Sequence, residues 1–279
     1  MRGCFPVMNG GDGVILSKRG DVCYGWEVEL PPAFRCNEER YDAIVQALFS
    51  AVTLLPDYTV VHKQDVYMKK KYVAEKSDGL LQEAYERHFD GREYLDHRCR
   101  LFLIFSSKKN VRGASSGLLG ISAGGSMPKA EALARYAAMA EQFATVVQGC
   151  GLLEMRRLTE DDIFGVGDFP GLIQDYLNFT DEGEDVLSDI QMRRDRVRTG
   201  DRYIGCHLIA DLDQLPAEVA SCRKVTSLST DSSAVNLSFL NEIGQELDCE
   251  HIVNHFILKE PQKDIHGELD TRRRQMLSM

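Results

Sequence analysis

Four stretches of this chain gather residue types that could do chemistry. His62-Lys63-Gln64-Asp65 follows Val60-Val61 and interrupts an apolar strand pattern with four polar side chains. On a strand, His62 and Gln64 would face one way and Lys63 and Asp65 the other, a poor arrangement for an acid and a base serving one substrate. Two accounts follow: a strand leaving the core with its polar groups paired locally, or a surface contact. Cys249-Glu250-His251-Ile252-Val253-Asn254-His255 offers thiol and imidazole ligands. On a helix His251 and His255 would meet, but the apolar, β-branched neighbours favour a strand, which holds them about 13 Å apart, too far to share a metal. Asp96-His97-Arg98-Cys99 and Cys206-His207 put a thiol near an imidazole, the pair that a cysteine nucleophile needs. Adjacent residues on a strand point to opposite faces, and a packed thiol is the default for Cys99 at the start of a central strand. Gly120-Ile121-Ser122-Ala123-Gly124-Gly125-Ser126 comes nearest to a phosphate loop. No Lys follows a Gly anywhere in the chain, so the nucleotide-binding G-x-x-x-x-G-K-[ST] is missing.

The elements that must position these residues are legible from periodicity. Val14–Ser17 and Val22–Leu30 read as a hairpin, with Val22, Tyr24, Trp26, Val28 and Leu30 on one face. Asn37 is placed to cap a helix striped by Tyr41, Ile44, Val45, Leu48, Phe49 and Val52. Thr59–Tyr67 predicts a strand, and Ser77–Phe89 a helix with Leu81, Ala84, Tyr85, His88 and Phe89 on one side. Arg98–Phe105 predicts a central strand, apolar on both faces near its end. A long helix is expected from Pro128, striped by Leu133, Tyr136, Ala137, Ala140, Ala144 and Val147. Thr159 reads as a helix start, Phe169–Phe179 as a helical piece and Arg202–Ala210 as a strand. Ser238–Leu247 then reads as a short helix, His251–Leu258 as a strand, and the segment after Pro261 as a charged helix to about Leu277. The expected class is α+β, with mixed or antiparallel sheets, packed helices and two lobes. The lobes are residues 1–105 and 129–279, joined by a Gly/Ser-rich linker or long loop over 106–128.

Composition narrows the class of function. The 279 residues carry a formal net charge of −10. Ten acidic side chains and no Lys or Arg lie between Thr159 and Asp189, which accounts for the whole excess. Net acidity argues against nonspecific polyanion binding, which requires clustered cations. Basic runs exist at Lys69-Lys70-Lys71, Lys108-Lys109, Arg193-Arg194 and Arg272-Arg273-Arg274, but they are scattered. The eight cysteines include no C-x-x-C pair, so zinc-finger spacing is absent and free thiols are expected. No apolar run exceeds five residues and the N-terminus lacks a signal-peptide core, so a cytoplasmic location is expected.

Leu55-Pro56-Asp57-Tyr58-Thr59-Val60-Val61-His62-Lys63-Gln64-Asp65 resembles the N-terminal region of TraG-type ATPases of conjugative transposons, members of the wider type IV secretion ATPase family. Glu86-Arg87-His88-Phe89 and Tyr94-Leu95-Asp96-His97-x-Cys99 are similar to the same region, as are Ile15-Leu16-Ser17-Lys18 and Val28-Glu29-Leu30-Pro31. Later echoes are Arg157-Leu158-Thr159, Gly200-Asp201, Leu228-Ser229-Thr230-Asp231 and Cys249-x-His251-Ile252. Val66 departs from the family, where an aromatic is common.

The resemblance implies a non-catalytic N-terminal docking and assembly module of a conjugation ATPase, peripheral at the inner face of the bacterial inner membrane. It implies membrane-embedded secretion components as partners, together with self-association; the acidic balance and the scattered basic clusters, for their part, count against nucleic acid as a partner of this region. No cofactor is expected in this chain. ATP and Mg belong to an ATPase domain expected beyond residue 279, and the family's Walker residues have no positions here. The candidate interaction surfaces are His62, Lys63, Gln64 and Asp65, the acidic residues Asp181, Glu182, Glu184 and Asp185, and the helix at 262–277. A reading from another class is a stand-alone thiol- or metal-dependent hydrolase using Cys99 or the His251/His255 pair.

Overall fold

The computed structural model describes residues 7–31, 38–76, 79–112, 128–167, 171–173, 190–194, 196–199, 202–209, 222–223, 235–236 and 247–278. Strands β1 (Val7–Asn9), β2 (Val14–Ser17) and β3 (Val22–Glu29) lead into helix α1 (Glu38–Thr53). Then come β4 (Thr59–Lys71), α2 (Leu80–Phe89), β5 (Glu93–Phe105) and the short α3 (Lys108–Arg112). Helix α4 (Ala130–Gln148), β6 (Glu154–Arg157) and α5 (Glu160–Phe164) follow. Short strands β7 (Ile190–Met192), β8 (Val197–Thr199) and β9 (Arg202–Ile204) form one small antiparallel sheet; β10 (Cys222–Arg223) and β11 (Val235–Asn236) form another. The chain ends in β12 (His251–Leu258) and α6 (Gln262–Ser278). The fold is α+β with antiparallel sheets.

The main sheet runs β1-β2-β3-β5-β4-β12, and β6 pairs with β3 beyond the end of β2. β5 is central, as its apolar end predicts. The elements after residue 128 return to the sheet built by the first hundred residues: β6 lies on β3, and β12 lies on β4. Two strands that follow the expected 106–128 boundary thus pair with strands that precede it.

One face of this sheet carries the larger core. Cross-strand partners share a face in an antiparallel pair. Val22, Tyr24, Trp26 and Val28 on β3 therefore lie beside Phe105, Leu103, Leu101 and Cys99 on β5. Helices α1 and α4 cover them with Ile44 and Ala51, and with Ala140, Phe143, Ala144 and Val147. Tyr24 meets Phe105 edge-on, and Phe105 stacks on Tyr136 of α4 at 4.5 Å. The opposite face holds a smaller cluster of Phe102, Leu158, Ile163 and Leu172. Thr159 caps α5 as its type and position predict: its Oγ1 accepts from the Asp162 amide while Asp162 Oδ2 accepts from the Thr159 amide. Gly13, at φ +70°, lies so close to Leu158 that an added Cβ would come within 2.4 Å of its carbonyl oxygen.

Several expectations are corrected. β4 continues to Lys71 and pairs with β5 along its whole length, so 62–65 is the middle of a strand and not its end. The α1 stripe turns toward Ala51, leaving Phe49 exposed. The apolar side of α2 faces solvent, and its one buried residue is Glu86. Glu86 Oε2 accepts from Tyr72 Oη and from the Glu75 amide, so α2 is tied to the chain by a carboxylate. The strand expected over Arg202–Ala210 ends at Ile204, and residues 205–209 are exposed without regular structure. Residues 238–246 and most of Phe169–Phe179 lie outside the described residues, and Leu247 is exposed without regular structure.

Candidate functional site

β4 sits between β5 and β12, and its polar residues meet partners from both. Residues of one parity point to the helix-covered face: Lys63, Asp65 and Tyr67. Their neighbours there are Leu101, Cys99 and His97 on β5, and His255, Val253 and His251 on β12. Residues of the other parity, His62 and Gln64, point to the opposite face with Phe102 and Arg100 on β5 and Phe256 and Asn254 on β12.

On the helix-covered face, Lys63 Nζ donates to Asp65 Oδ2, and His97 Nε2 donates to Asp65 Oδ1 at 2.9 Å. Two residues apart on a strand share a face, so Lys63 and Asp65 can meet. Burial pushes the Asp65 carboxyl up, but the hydrogen bond from His97 and the charge and hydrogen bond of Lys63 outweigh it. The net result lies below the usual carboxylate value. Beyond this pair, the rings of His97, Tyr67 and His251 stack across three strands, with centroids 4.5 and 4.4 Å apart. His251 Nδ1 donates to the Cys249 carbonyl, which fixes its tautomer and ring plane.

The opposite face carries a second ladder. His62 is stacked between Phe256 at 4.2 Å and Phe102 at 5.4 Å. Its Nε2 donates to Asn254 Oδ1 at 2.8 Å, which also accepts from Gln64 Nε2 at 3.1 Å. One ladder is centred on Tyr67 and the other on His62. The two residues are five apart on β4, which puts the ladders on opposite faces.

Lys63, Gln64 and Asp65 are 8, 1 and 2 % exposed, so these three are not a contact surface; they are a paired polar seam inside the sheet. His62 is half-buried under Phe256. Local pairing of these groups was the simpler expectation, although it occurs within the strand and not at its exit. Asp181, Glu182, Glu184 and Asp185 lie outside the described residues. Helix α6 is largely exposed, and its first turn is anchored where Tyr58 Oη and Lys108 Nζ donate to Asp264. Sequence reasoning missed Asn254, Tyr67, Phe102 and Phe256 as members of this arrangement. The signal was the matching alternation of 59–67 and 251–258, which has meaning only once the two strands are known to pair.

The groups proposed for covalent or metal chemistry are placed as follows. Cys99 lies opposite Asp65, and burial pushes its thiol up to about 12, away from the thiolate that a nucleophile requires. Burial also raises Cys23 to about 12, whereas Cys206 and Cys249 are exposed. Iodoacetamide at mildly alkaline pH is therefore expected to label Cys206 and Cys249 in the native protein, and Cys23 and Cys99 only after unfolding. Peptide mapping that found Cys99 labelled as fast as Cys206 would contradict this packing. His251 and His255 occupy a strand, as their neighbours predict, and no group of three or more His, Cys, Asp or Glu arranged for a metal occurs among the described residues. The basic run on β4 is partly neutralised: Lys69 pairs with Asp248 at 3.0 Å and Lys70 with Asp96 at 2.7 Å.

The seam also makes stability depend on pH. Burial holds His62 and His255 below the ordinary value of 6.5, and the nearby Lys63 adds to this at His255. A histidine whose folded pKa is depressed contributes stability that is complete above the unfolded pKa and is lost as pH falls below it. Asp65, also depressed, adds a second loss below about 3.8. The urea midpoint is therefore expected to fall between pH 7 and pH 5, and again below pH 4. The His255→Gln variant should flatten the first step; an unchanged slope would remove His255 from this account.

Among the described residues no helix is long and apolar enough to cross a membrane. Compared with known proteins, the chain matches no family model and no curated protein.

Proposed function

We propose that this chain is a docking and assembly module without catalytic activity of its own. In this reading it is the N-terminal part of a TraG-type conjugation ATPase, peripheral at the cytoplasmic face of the inner membrane. Its partners are membrane-embedded secretion components, and its motor domain, with ATP and Mg, lies beyond residue 279. The observation that carries the docking function is α2. Leu80 and Leu81 are 85 and 86 % exposed, and Tyr85 and Val73 are exposed with them. A soluble surface rarely presents neighbouring large apolar side chains without a use for them. In contrast, the polar seam spends its carboxylate, ammonium and imidazoles on one another. The link to conjugation rests on the sequence resemblance alone.

The test is Leu80→Glu with Leu81→Glu in the full-length protein of a conjugating cell. Co-sedimentation with inner membranes and DNA transfer should both fall, while the thermal midpoint of the isolated chain stays unchanged because neither side chain is packed. Unchanged transfer and membrane association would remove α2 as the docking surface. Charge reversal of Asp181, Glu182, Glu184 and Asp185 in the same assay tests the acidic segment; intact partner capture would eliminate it.

A further inference from the structure

Among the described residues β12 ends the main sheet, with β4 on its inner side. Its eight residues, His251–Leu258, include no Lys, Arg, Asp, Glu, Pro or Gly. Natural edge strands are protected from pairing by charges, prolines, bulges or short length, and β12 has none of these devices. Ile252, Phe256 and Ile257 on this strand are 39, 64 and 49 % exposed. The sheet's other edge, by comparison, is the three-residue β1.

We infer that β12 pairs antiparallel with β12 of a second copy of this chain, about a two-fold axis perpendicular to the sheet. Two features select a second copy as the occupant. First, self-pairing sets like against like, so a strand of charged residues would repel itself, and this one has no Lys, Arg, Asp or Glu; burial lowers the pKa of His255. Second, the apolar residues match. A two-fold axis normal to the sheet keeps each side chain on its own face, so residues of equal parity become opposite. With Asn254 on the axis, Ile252 lies opposite Phe256 of the second copy, and Phe256 opposite its Ile252. Two exposed apolar side chains from each copy are then covered by one another. The result is a continuous sheet through both copies. This proposal is independent of the conjugation reading: a monomer would leave docking through α2 intact, and failure of that docking would leave the pairing intact.

Sedimentation velocity of the purified 279-residue chain over a concentration series is the test, with two double variants beside the wild type. Ile252→Lys with Phe256→Lys puts like charges opposite twice across the axis and should weaken the dimer roughly ten-fold or more. Ile252→Lys with Phe256→Glu puts opposite charges there and should recover most of the affinity. Both variants lose the Phe256 ring from its stack on His62, so the comparison isolates the sign of the charge. Hydrogen exchange on the wild type gives a second reading: amide protection over 251–258 should rise with protein concentration. A wild type that is monomeric at every concentration would overturn the proposal. So would a dimer indifferent to the double lysine variant, two variants equally weakened, or protection over 251–258 independent of concentration.

Discussion

Asp65→Asn is expected to cost about 3–5 kcal/mol of stability, the range for breaking a buried ion pair by removing one partner. The side chains of Lys63 and Asp65 are 10 and 3 % exposed, so the ammonium left behind cannot recover its hydration. The same substitution leaves one acceptor oxygen for two donors, Lys63 Nζ and His97 Nε2, the latter belonging to the ring at one end of the His97–Tyr67–His251 stack. For a protein of this size the loss corresponds to a fall in Tm of roughly 10 °C. Replacing both partners, Lys63→Met with Asp65→Leu, should cost less than Asp65→Asn alone, because no charge is then stranded in the sheet. Urea unfolding of the three proteins decides it. A loss below about 1 kcal/mol for Asp65→Asn would mean that Lys63 reaches solvent without its partner.

Phe143→Ala should be of similar size, about 3–5 kcal/mol, for a different reason. Phe143 is 1 % exposed on α4, and its ring lies 6.2 Å from that of Trp26 on β3. Truncation leaves a cavity between α4 and the sheet that rigid backbone on both sides cannot close. Trp26 is the sole tryptophan, so its fluorescence reports both the native environment and the unfolding transition. A red-shifted native spectrum is expected together with the lowered midpoint. A loss near that of an exposed substitution would show that α4 does not seal this face of the sheet.

The two substitutions act on different parts of one sheet face. The Phe143 end is apolar and helix-covered; the Asp65 end is polar and built by three strands. That division explains how β4 passes through four polar residues without ending. His62, Gln64 and Asp65 each hydrogen-bond a side chain on a neighbouring strand, and Lys63 donates to Asp65 on its own strand, so polar pairing accompanies burial in holding the strand.

What the sequence by itself determined is local. Strict alternation in Val22–Leu30 and the run Arg98–Phe105 predict β3 and β5. The spacing of Leu133, Ala140, Ala144 and Val147 predicts α4, and Thr159 with Asp162 predicts the cap of α5. Side-chain periodicity and capping act over a few residues, so they can be read without a partner. The pairing of β12 with β4 was beyond such reading, because His255 meets Lys63 only after almost two hundred residues of intervening chain. The same nonlocal step turned His62-Lys63-Gln64-Asp65 from a supposed surface into an internal seam, since burial of a polar residue depends on what lies opposite. It also reversed α2: a helix with an apolar side is expected to bury it, but the tether from Glu86 to Tyr72 and Glu75 holds Leu80 and Leu81 toward solvent. Periodicity says which side chains share a face; only the tertiary structure decides what that face meets.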